Sequence, residues 1–309
     1  MKNLTNIKII GIGGAGCNTL SRMKSFNIRG VDLIAVNCDI QDLKKAKTDS
    51  RIWIGKNLTG GLGAGMNPKI GEQAAIESKE EIAEALKEAD IVFLTAGFGG
   101  GSGTGATPII AEIAKKQGAL TIAVITTPFS FEGSQRVKIA EKGIEALKDK
   151  VDTLIVISND KLLSQIEENI SLLSAFSVCD DVLRQAVQGI SDLILCPGII
   201  NLDFADIQAV IKNSGRAMFG IGEGKGEKRT EQAINKVLSS PFFDYSIAGA
   251  KGVLFNISGG EDLTLTEIED TVKTITQRIN PKAKVIFGAV WNKTLKKGEI
   301  KIVLIATGF

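Results

Sequence analysis

Two glycine-rich segments of the chain have the composition and spacing of loops that hold phosphate groups. Gly11, Gly13 and Gly16 form a G-x-G-x-x-G pattern between a strand-like run and a helical pattern, and Asp39 follows at about 20 residues. Glycine lets the backbone approach a phosphate closely and direct N–H groups and a helix N-terminus at its charge. By itself this pattern also fits a tight turn, or the dinucleotide site of a nicotinamide-dependent oxidoreductase.

The second segment, Gly97 to Gly105, holds six glycines in nine residues. Each glycine costs about 0.5–1 kcal/mol of backbone entropy, so we do not expect a plain connector to carry this many. Two such loops at one edge of a sheet suit a triphosphate that main-chain dipoles hold from both sides. A Walker A motif is absent, because neither Gly55-Lys56 nor Gly224-Lys225 has the required spacing or a following Ser or Thr.

The residue types that the chain lacks narrow the chemistry further. It contains no histidine, which excludes Ser-His-Asp and Cys-His arrangements and histidine-ligated zinc sites. Catalysis would have to use carboxylates, backbone dipoles, cations or a bound metal. The cysteines are far apart and form no C-x-x-C pair, so we expect reduced thiols that act mainly as small apolar side chains. They are Cys17, Cys38, Cys179 and Cys196.

Composition and charge exclude several classes of protein. With 309 residues, 44% of them hydrophobic and 23% charged, the chain is long enough for two globular domains. Lys and Arg number 37 against 35 Asp and Glu, a balance of +2 that creates no basic field for nucleic acid. No apolar run approaches the roughly 18–20 residues that span a bilayer, and no signal-peptide core follows the N-terminus. We expect a soluble, cytoplasmic protein without direct membrane insertion.

Alternating strand and helix patterns must position these loops. An α/β fold follows: a Rossmann-like parallel-sheet domain over residues 1–171, a long central helix over 172–196 and a smaller α/β domain over 197–309. In the first domain the predicted strands are 7–10, 33–36, 91–96, 120–125 and 153–157, and the predicted helices 18–26, 68–87, 107–116 and 134–148. In the last domain we predict a helix ending near 213, a glycine-rich loop over 220–228, a helix near 231–239 and strands over 253–257, 284–287 and 300–306.

Eight ordered segments of the sequence resemble the FtsZ family of bacterial cell-division GTPases, which are related to tubulin. The most specific is GGGSGTGATP, Gly99 to Pro108, which is similar to the tubulin/FtsZ signature loop. The other seven are GIGGAGCN (11–18), AVNCD (35–39), GLGAGMNP (61–68), PFSFEGSQR (128–136), NDKLL (159–163), DDVLRQAVQGI (180–190) and NLDFAD (201–206). The resemblance covers nearly the whole chain, although Ala15 and Ser102 stand where the family usually has glycine and threonine.

The resemblance implies a GTP/GDP site, with Mg²⁺ bound mainly through the phosphates. Asp180 stands where the family places the carboxylate that accepts from the guanine N1–H and 2-amino group, although the adjacent Asp181 leaves a one-residue ambiguity. Glu132 and Arg136 match its ribose and nucleotide contacts; without the resemblance they form an ordinary i,i+4 surface pair. The other implied contacts are Gly14, Ala15, Gly16, Cys17, Asn18, Asn37, Gly65, Gly101, Ser102, Gly103, Thr104 and Asn159.

The loop over 197–206 carries the residues that the resemblance makes catalytic, which are Asn201, Asp203 and Asp206. From their spacing alone, Asp203 and Asp206 are a helix N-cap and its partner. In the family this acidic loop of one subunit reaches the nucleotide of the next and positions the attacking water. The resemblance therefore implies head-to-tail self-assembly, hydrolysis that depends on it, a division ring at midcell and division-machinery partners. Family members usually continue with a linker and a tether-binding peptide, which no residue after Phe309 supplies.

Two alternatives stay open at the level of sequence. A nicotinamide-dependent oxidoreductase would account for Gly11, Gly13, Gly16 and Asp39, but it leaves Gly97 to Gly105 without a role. A GTP-binding scaffold of the same superfamily that does not turn over would keep both loops. Replacing Asp203 or Asp206 separates the scaffold from the enzyme, because only the enzyme would lose hydrolysis while it retains GTP.

Overall fold

The computed structural model describes residues 5–26, 30–163, 170–195, 198, 200, 203–240, 243, 246–292 and 295–309. Two residues singled out above, Cys196 and Asn201, lie outside the described residues. The chain divides into two compact units, Met1–Gln188 (unit 1) and Gly189–Phe309 (unit 2). Among the helices that the structure describes, none is both long and apolar enough to cross a membrane.

Unit 1 contains a parallel sheet, which confirms the predicted α/β class. Its strands are Ile7–Ile12 (β1), Val31–Asn37 (β2), Ser50–Trp53 (β3), Ile91–Gly97 (β4), Leu120–Thr127 (β5) and Thr153–Ser158 (β6). Their order is β3-β2-β1-β4-β5-β6, and each neighbouring pair is parallel. The central strands are apolar and buried along their length because helices cover both faces, as expected of a parallel sheet.

Helices fill the connections between these strands. They are Gly13–Ser25 (α1), Ile40–Lys45 (α2), Lys56–Thr59 (α3), Pro68–Glu77 (α4), Lys79–Leu86 (α5), Ser102–Lys116 (α6), Ser134–Leu147 (α7) and Asn159–Leu163 (α8). In α1 the buried residues Gly16, Leu20 and Met23 recur at helical spacing and form the face that packs on the sheet. A helix of 24 residues, Leu172–Leu195 (α9), follows and runs into unit 2.

Three helices of unit 1 differ from the prediction. Helix α1 begins at Gly13 and not at 18, so part of the first glycine segment is helical. The expected single helix over 68–87 is two, because the buried Ser78 has φ −100° and ψ 19° and ends α4 while it begins α5. Helix α6 begins at Ser102 and not at 107, so the last four of the nine residues of the second glycine run are helical. A Cβ at Gly105 would lie 1.9 Å from the Pro68 carbonyl oxygen. Gly105 therefore lets α4 and α6 pack closely and is not part of a loop.

Unit 2 contains a mixed sheet. Its strands are Gly215–Lys225 (β7), Gly252–Gly259 (β8), Lys284–Trp291 (β9) and Glu299–Thr307 (β10), and its other helices are Phe204–Ile211 (α10), Arg229–Leu238 (α11) and Leu265–Thr276 (α12). The order is β7-β10-β8-β9, in which β10 is antiparallel to β7 and β8, and β8 is parallel to β9. Apolar residues of the sheet, α11 and α12 form one core.

Strand β7 corrects the predicted loop over 220–228. Gly220, Gly222 and Gly224 alternate along the strand and therefore lie on one face of it. A Cβ on Gly222 would lie 1.9 Å from the Ala233 carbonyl oxygen, and one on Gly224 would lie 1.8 Å from that of Arg229. The glycines are present because the backbone of α11 packs directly on the strand. A period of two, and not the glycine content, was the relevant signal.

Candidate functional site

The order of the strands in unit 1 places a crevice beside both glycine turns. Strands β1 and β4 are neighbours. From β1 the chain continues to β2 on one side of this pair, and from β4 it continues to β5 on the other. At such a switch point the carboxyl ends of parallel strands border a ligand crevice. A cavity of about 490 Å³ lies there. Its lining is Gly13, Gly14, Ala15, Asn37, Asp39, Asp42, Leu62, Gly63, Ala64, Gly65, Gly97, Phe98, Gly100, Gly101, Ser102, Gly103, Thr126, Pro128, Glu132, Arg136, Asn159, Phe176, Cys179 and Asp180.

One end of the cavity is formed by backbone. Gly13, with φ +73°, turns the chain from β1 into α1, and a Cβ there would lie 3.0 Å from the Gly103 nitrogen. The Gly101 N–H donates to the Gly65 carbonyl at 2.8 Å, which attaches a third glycine loop to the second. Because α1 and α6 both begin at this end, N–H groups that have no partner inside either helix are available to an anion.

Two buried side-chain atoms of the cavity have no hydrogen-bond partner among the described residues. They are Nδ2 of Asn37, at the end of β2, and Oδ1 of Asn159, at the end of β6. The two residues are only 2% and 5% exposed. Leaving such a group unpaired costs about 1–3 kcal/mol, so its presence indicates a bound partner. One atom is a donor and the other is an acceptor, which fits a polar ligand that carries both kinds of group.

Helix α9 supplies an aromatic ring and a carboxylate on adjacent turns. Phe176 packs edge-on against Phe129, with ring centroids 5.3 Å apart. Asp180 is four residues further along, and Nε of Arg22 lies 3.5 Å from its Oδ2 atom. Burial raises the pKa of Asp180 to about 6, against the opposing effect of Arg22. Asp181 instead accepts from Arg184 at 2.7 Å and Gln185 at 2.6 Å and does not line the cavity.

Glu132 and Arg136 border the same cavity and form an ion pair of 3.2 Å. They do not share one helix, because Ser130–Glu132 is a 3-10 turn and Arg136 belongs to α7. The other carboxylate oxygen of Glu132 accepts from the Phe129 N–H at 2.9 Å. The turn therefore holds Glu132 in place. The prediction of an ordinary i,i+4 pair on the surface of one helix does not describe this arrangement.

Four of the expected contact residues do not line the cavity. A Cβ on Gly16 would lie 2.5 Å from the Thr95 carbonyl oxygen, so this glycine faces the sheet. Cys17 is 2% exposed, and burial raises its pKa to about 12. Asn18 lies beside Arg22 on a neighbouring surface. Thr104 accepts a hydrogen bond from the Gly99 N–H at 3.0 Å and so braces the glycine loop from behind.

Sequence reasoning missed several residues of the cavity. Phe176 could have been found from its i,i+4 spacing to Asp180, which places both on one face of a helix. Thr126 is a polar residue one position before the end of the buried parallel strand β5, and the argument made for Asn37 applies to it. Cys179 and Leu62 carried no comparable signal.

The acidic pair of the 197–206 loop lies in unit 2, at the start of α10. Asp203 is the N-cap, and the Asp206 carboxylate accepts from the Asp203 N–H at 3.4 Å. Both side chains are exposed. The prediction of a helix N-cap and its partner thus describes the local geometry. Both carboxylates are accessible to another molecule.

The described residues contain no group of three or more His, Cys, Asp or Glu side chains that could hold a metal ion. Two carboxylates, Asp39 and Asp42, do border the glycine end of the cavity. Oδ1 of Asp39 is committed to capping α2, where it accepts from the N–H groups of Gln41 and Asp42. The protein alone therefore offers partial coordination to a cation there.

The fold and this cavity define a nucleotide-binding α/β protein, and comparisons with known proteins define its family. Residues 6–167 match the tubulin/FtsZ family GTPase domain, and residues 215–309 match the FtsZ family C-terminal domain. Cell division protein FtsZ 1 of Thermococcus kodakarensis is 52% identical over 302 residues, which are 98% of this chain and 80% of that protein. The chain belongs to the FtsZ family, a family of tubulin-like GTPases that bind guanine nucleotides.

Solved structures agree with this assignment. An FtsZ dimer from M. jannaschii, described as empty, superposes with a TM-score of 0.96 at 48% identity and covers 100% of this chain and 89% of that one. CetZ2 from Haloferax volcanii, at 20% identity, has a TM-score of 0.81 over 98% of this chain and 92% of that one, which shows the shared fold. The FtsZ relatives from Thermococcus kodakarensis and M. jannaschii are archaeal, so the family extends beyond the bacterial members expected above. The family assignment removes the oxidoreductase alternative.

Proposed function

We propose that the cavity of unit 1 binds GTP and GDP and that residues 1–171 act as the GTP-binding domain. The observation that carries this proposal is the unpaired donor of Asn37 and the unpaired acceptor of Asn159, both buried in a cavity whose far end is lined by glycine. Phosphates would accept from the N–H groups at the starts of α1 and α6. The base and ribose would lie toward α9 and toward the pair formed by Glu132 and Arg136.

Asp180 is the residue that distinguishes guanine. An ionised carboxylate can accept from the guanine N1–H and 2-amino group together, whereas adenine offers no such pair of donors. Phe176, one turn earlier, presents a ring that is 39% exposed and is available to the face of the purine. Asp181 is committed to Arg184 and Gln185 and is not proposed for this role.

Mg²⁺ would be held mainly through the phosphates, and the lining residues fit that arrangement. Mg²⁺ commonly takes one or two carboxylates together with substrate phosphates, and a full protein cage is unusual. Asp39 and Asp42 supply negative charge at the phosphate end of the cavity. When bound, the ion neutralises phosphate charge as the transferred group leaves. The chain's part is to fix the phosphates with main-chain N–H groups and to keep these two carboxylates nearby.

Hydrolysis is completed by the acidic loop of an adjacent subunit, with Asp203, Asp206 and Asn201 positioning and polarising the attacking water. The exposure of the first two carboxylates supports this role. Phosphoryl transfer requires mainly positioning and electrostatic stabilisation, which a chain without histidine can supply. The central helix, residues 172–196, and the domain over 197–309 carry this loop.

Assembly follows from a site that is divided between two copies. A head-to-tail contact is heterologous, so it repeats into an open filament. The solved FtsZ dimer shows that a relative self-associates. We propose that this chain forms such filaments in the division ring at midcell, together with division-machinery proteins.

The experiment that tests this proposal is complementation between two inactive variants. Asp206→Asn should bind GTP and fail to hydrolyse it, and Asp180→Ala should lose GTP while keeping its acidic loop. In a mixed filament the nucleotide of the first variant meets the intact loop of the second, so mixing should restore part of the GTPase activity. Asp270→Asn, which removes an exposed carboxylate elsewhere in unit 2, is the matched control and should retain full activity.

Measurements on the unmodified protein separate assembly-dependent hydrolysis from a site held by one chain and from a scaffold that does not hydrolyse GTP. In the unmodified protein with Mg²⁺, the hydrolysis rate per protomer should rise with protein concentration and in step with light scattering. A rate per protomer that does not depend on concentration, with no recovery on mixing, would show that one chain holds the whole site. GTP-dependent scattering without phosphate release would indicate the non-hydrolysing scaffold.

A further inference from the structure

Arg22 connects the helix that follows the first glycine turn to the helix that carries Asp180. Its Nε atom lies 3.5 Å from Oδ2 of Asp180, and its terminal NH2 donates to the Ser177 hydroxyl at 2.7 Å. The Ser177 contact fixes the guanidinium against α9. Arg22 does not line the cavity itself, because it lies behind Asp180 on a separate surface cleft that includes Ser21 and Lys47. It can therefore affect a ligand only through the carboxylate.

We propose that Arg22 is a positioning residue that keeps Asp180 ionised and aimed at the base, and thereby sets the preference for guanine. This inference rests on the proposed function, in which Asp180 accepts from two guanine donors. A protonated carboxyl group cannot accept from both donors in this way, because one oxygen has become a donor. The charge state of Asp180 thus determines how well the 2-amino group is recognised.

The other charged groups near Asp180 are already paired, have the wrong sign or are exposed to solvent. On its own helix, Asp181 is bound to Arg184. Across the cavity, Glu132 is bound to Arg136 at 3.2 Å. The cleft behind it adds Lys47, which is exposed to solvent. Among the described residues, the ion pair that Asp180 makes is with Arg22.

The direction of the pH effect follows from this arrangement. Burial raises the pKa of Asp180 to about 6, and Arg22 is the main influence that lowers it. Without Arg22 the pKa rises further, so at neutral pH a larger fraction of the carboxyl is protonated. Guanine recognition should then weaken at neutral pH and return as the pH is raised. A purely structural role for Arg22 would not produce this pH dependence.

The test compares binding of GDP and IDP, which differ only in the 2-amino group, from pH 5.5 to 8.5. The ratio of their dissociation constants reports the contact to the base, because the phosphates are identical and their titration cancels. Arg22→Gln should lower the preference for GDP about tenfold at pH 7 and restore most of it at pH 8.5. Arg22→Lys should keep most of the preference, since it keeps the charge.

Lys24→Gln is the matched control, because it removes a positive charge from the same helix at a residue paired with Asp49. It should leave the GDP to IDP ratio unchanged at every pH. Ser177→Ala, which frees the guanidinium without removing it, should shift the ratio in the same direction as Arg22→Gln but less. This second variant tests the proposal even where Arg22→Gln folds poorly.

The outcomes distinguish this inference from the proposed function. If Arg22→Gln weakens GDP and IDP equally at all pH values, Arg22 has only a structural role and the inference is wrong. If Asp180→Asn itself leaves the ratio unchanged, the carboxylate does not contact the base, and the proposed recognition of guanine fails with it. A ratio that is lost in Asp180→Asn and becomes pH-dependent in Arg22→Gln supports both.

Discussion

Each unit sets a carboxylate against an arginine, but the two pairs are satisfied to very different extents. In unit 2, Glu267 accepts from Arg229 through both oxygens, at 2.5 and 2.7 Å, and Asp262 accepts from the same guanidinium at 2.7 Å. In unit 1, Asp180 has a single ion pair of 3.5 Å. The hydrogen bonds from Arg229 lower the pKa of Glu267 to about 2, whereas burial raises the pKa of Asp180 to about 6 against the weaker effect of Arg22.

Glycine shows the same contrast. A Cβ on Gly222 would lie 1.9 Å from the backbone of α11. A Cβ on Gly100, which borders the cavity, would have no atom within 4 Å of it. In unit 2 the Arg229 guanidinium, both Glu267 oxygens and the space beside Gly222 are occupied by the protein itself. In unit 1 the corresponding hydrogen-bonding groups and the space beside Gly100 are left open. Unsatisfied groups at a strand-end crevice indicate a ligand, and satisfied ones indicate packing.

Removing Arg229 should have the largest effect on the free energy of unfolding. Arg229 is 5% exposed, and Arg229→Met would leave two carboxylates without their cation, so we expect a loss of about 3–5 kcal/mol in the free energy of unfolding. Urea unfolding can follow unit 2 through Trp291 in a Trp53→Phe background, because these are the only two tryptophans. Lys225→Met, at an exposed ion pair with Glu299, is the control and should cost far less, because solvent screens such a pair. Similar losses in both variants would contradict the comparison.

A methyl group on the packed strand should have the next largest effect. Gly222→Ala forces α11 away from β7, and we expect a loss of about 3 kcal/mol by the same fluorescence measurement. Gly249→Ala is the matched control, since its nearest neighbour is a Phe309 ring atom at 3.7 Å. It should change stability by no more than about 0.5 kcal/mol. If Gly222→Ala is equally harmless, the close packing of helix on strand is not what requires glycine there.

These glycines also show what could be predicted from the sequence. Five of the six strands of unit 1 were predicted because buried parallel strands are continuous apolar runs. Strand β7 was predicted to be a loop, since glycine composition was weighed and its period of two was not. Strand β3 and helix α12 were not predicted; β3 has only four residues, too few to establish a period.

The residues of the candidate site were harder to predict from the sequence than the strands and helices. Asn37 could be placed, because a polar residue at the end of a buried parallel strand borders the crevice. Asp180 and Asp181 could not be separated by sequence, since adjacent positions on a helix differ by only 100° in direction. The contact of Asp181 with Arg184 is a local i,i+3 pair within α9, but the contact of Asp180 with Arg22 depends on how α9 packs against α1, which no local pattern contains.

Lowering the pH should remove the stabilisation that the ion pair of Glu267 and Arg229 gives to unit 2. Arg229 lowers the pKa of Glu267 from 4.5 to about 2, so the stabilisation is fully present above pH 4.5 and is lost as the pH falls through 2. Urea midpoints of unit 2 measured from pH 5 to pH 2.5 should therefore decline. In Glu267→Gln the starting stability should be lower and the decline shallower. An equally steep decline in that variant would mean that other carboxylates cause the acid sensitivity.

The open glycine of unit 1 should respond in the opposite way to Gly222. Gly100→Ala places a methyl group in free space, so we expect a change in unfolding free energy within about 0.5 kcal/mol. The same methyl group occupies the border of the cavity and should weaken GDP binding about tenfold, as measured by calorimetry. A variant that loses stability while it keeps its affinity for GDP would reverse the roles assigned to the two glycines.

The smallest effect concerns the unsatisfied carboxylate. Because the pKa of Asp180 is raised from 3.8 to about 6, the folded protein without nucleotide holds this proton more tightly than the unfolded chain does. The favourable contribution is present below pH 3.8 and is lost as the pH rises through 6, so the ionised group opposes folding at neutral pH. Asp180→Asn should therefore raise the stability of the nucleotide-free protein at pH 7.5, by less than the roughly 3 kcal/mol that a shift of this size represents, because the substitution also removes the partner of Arg22. Saturating GDP should reverse the order of the two proteins, because only the wild type gains the full binding energy. A nucleotide-free variant less stable than the wild type would show that Asp180 is already satisfied, as Glu267 is.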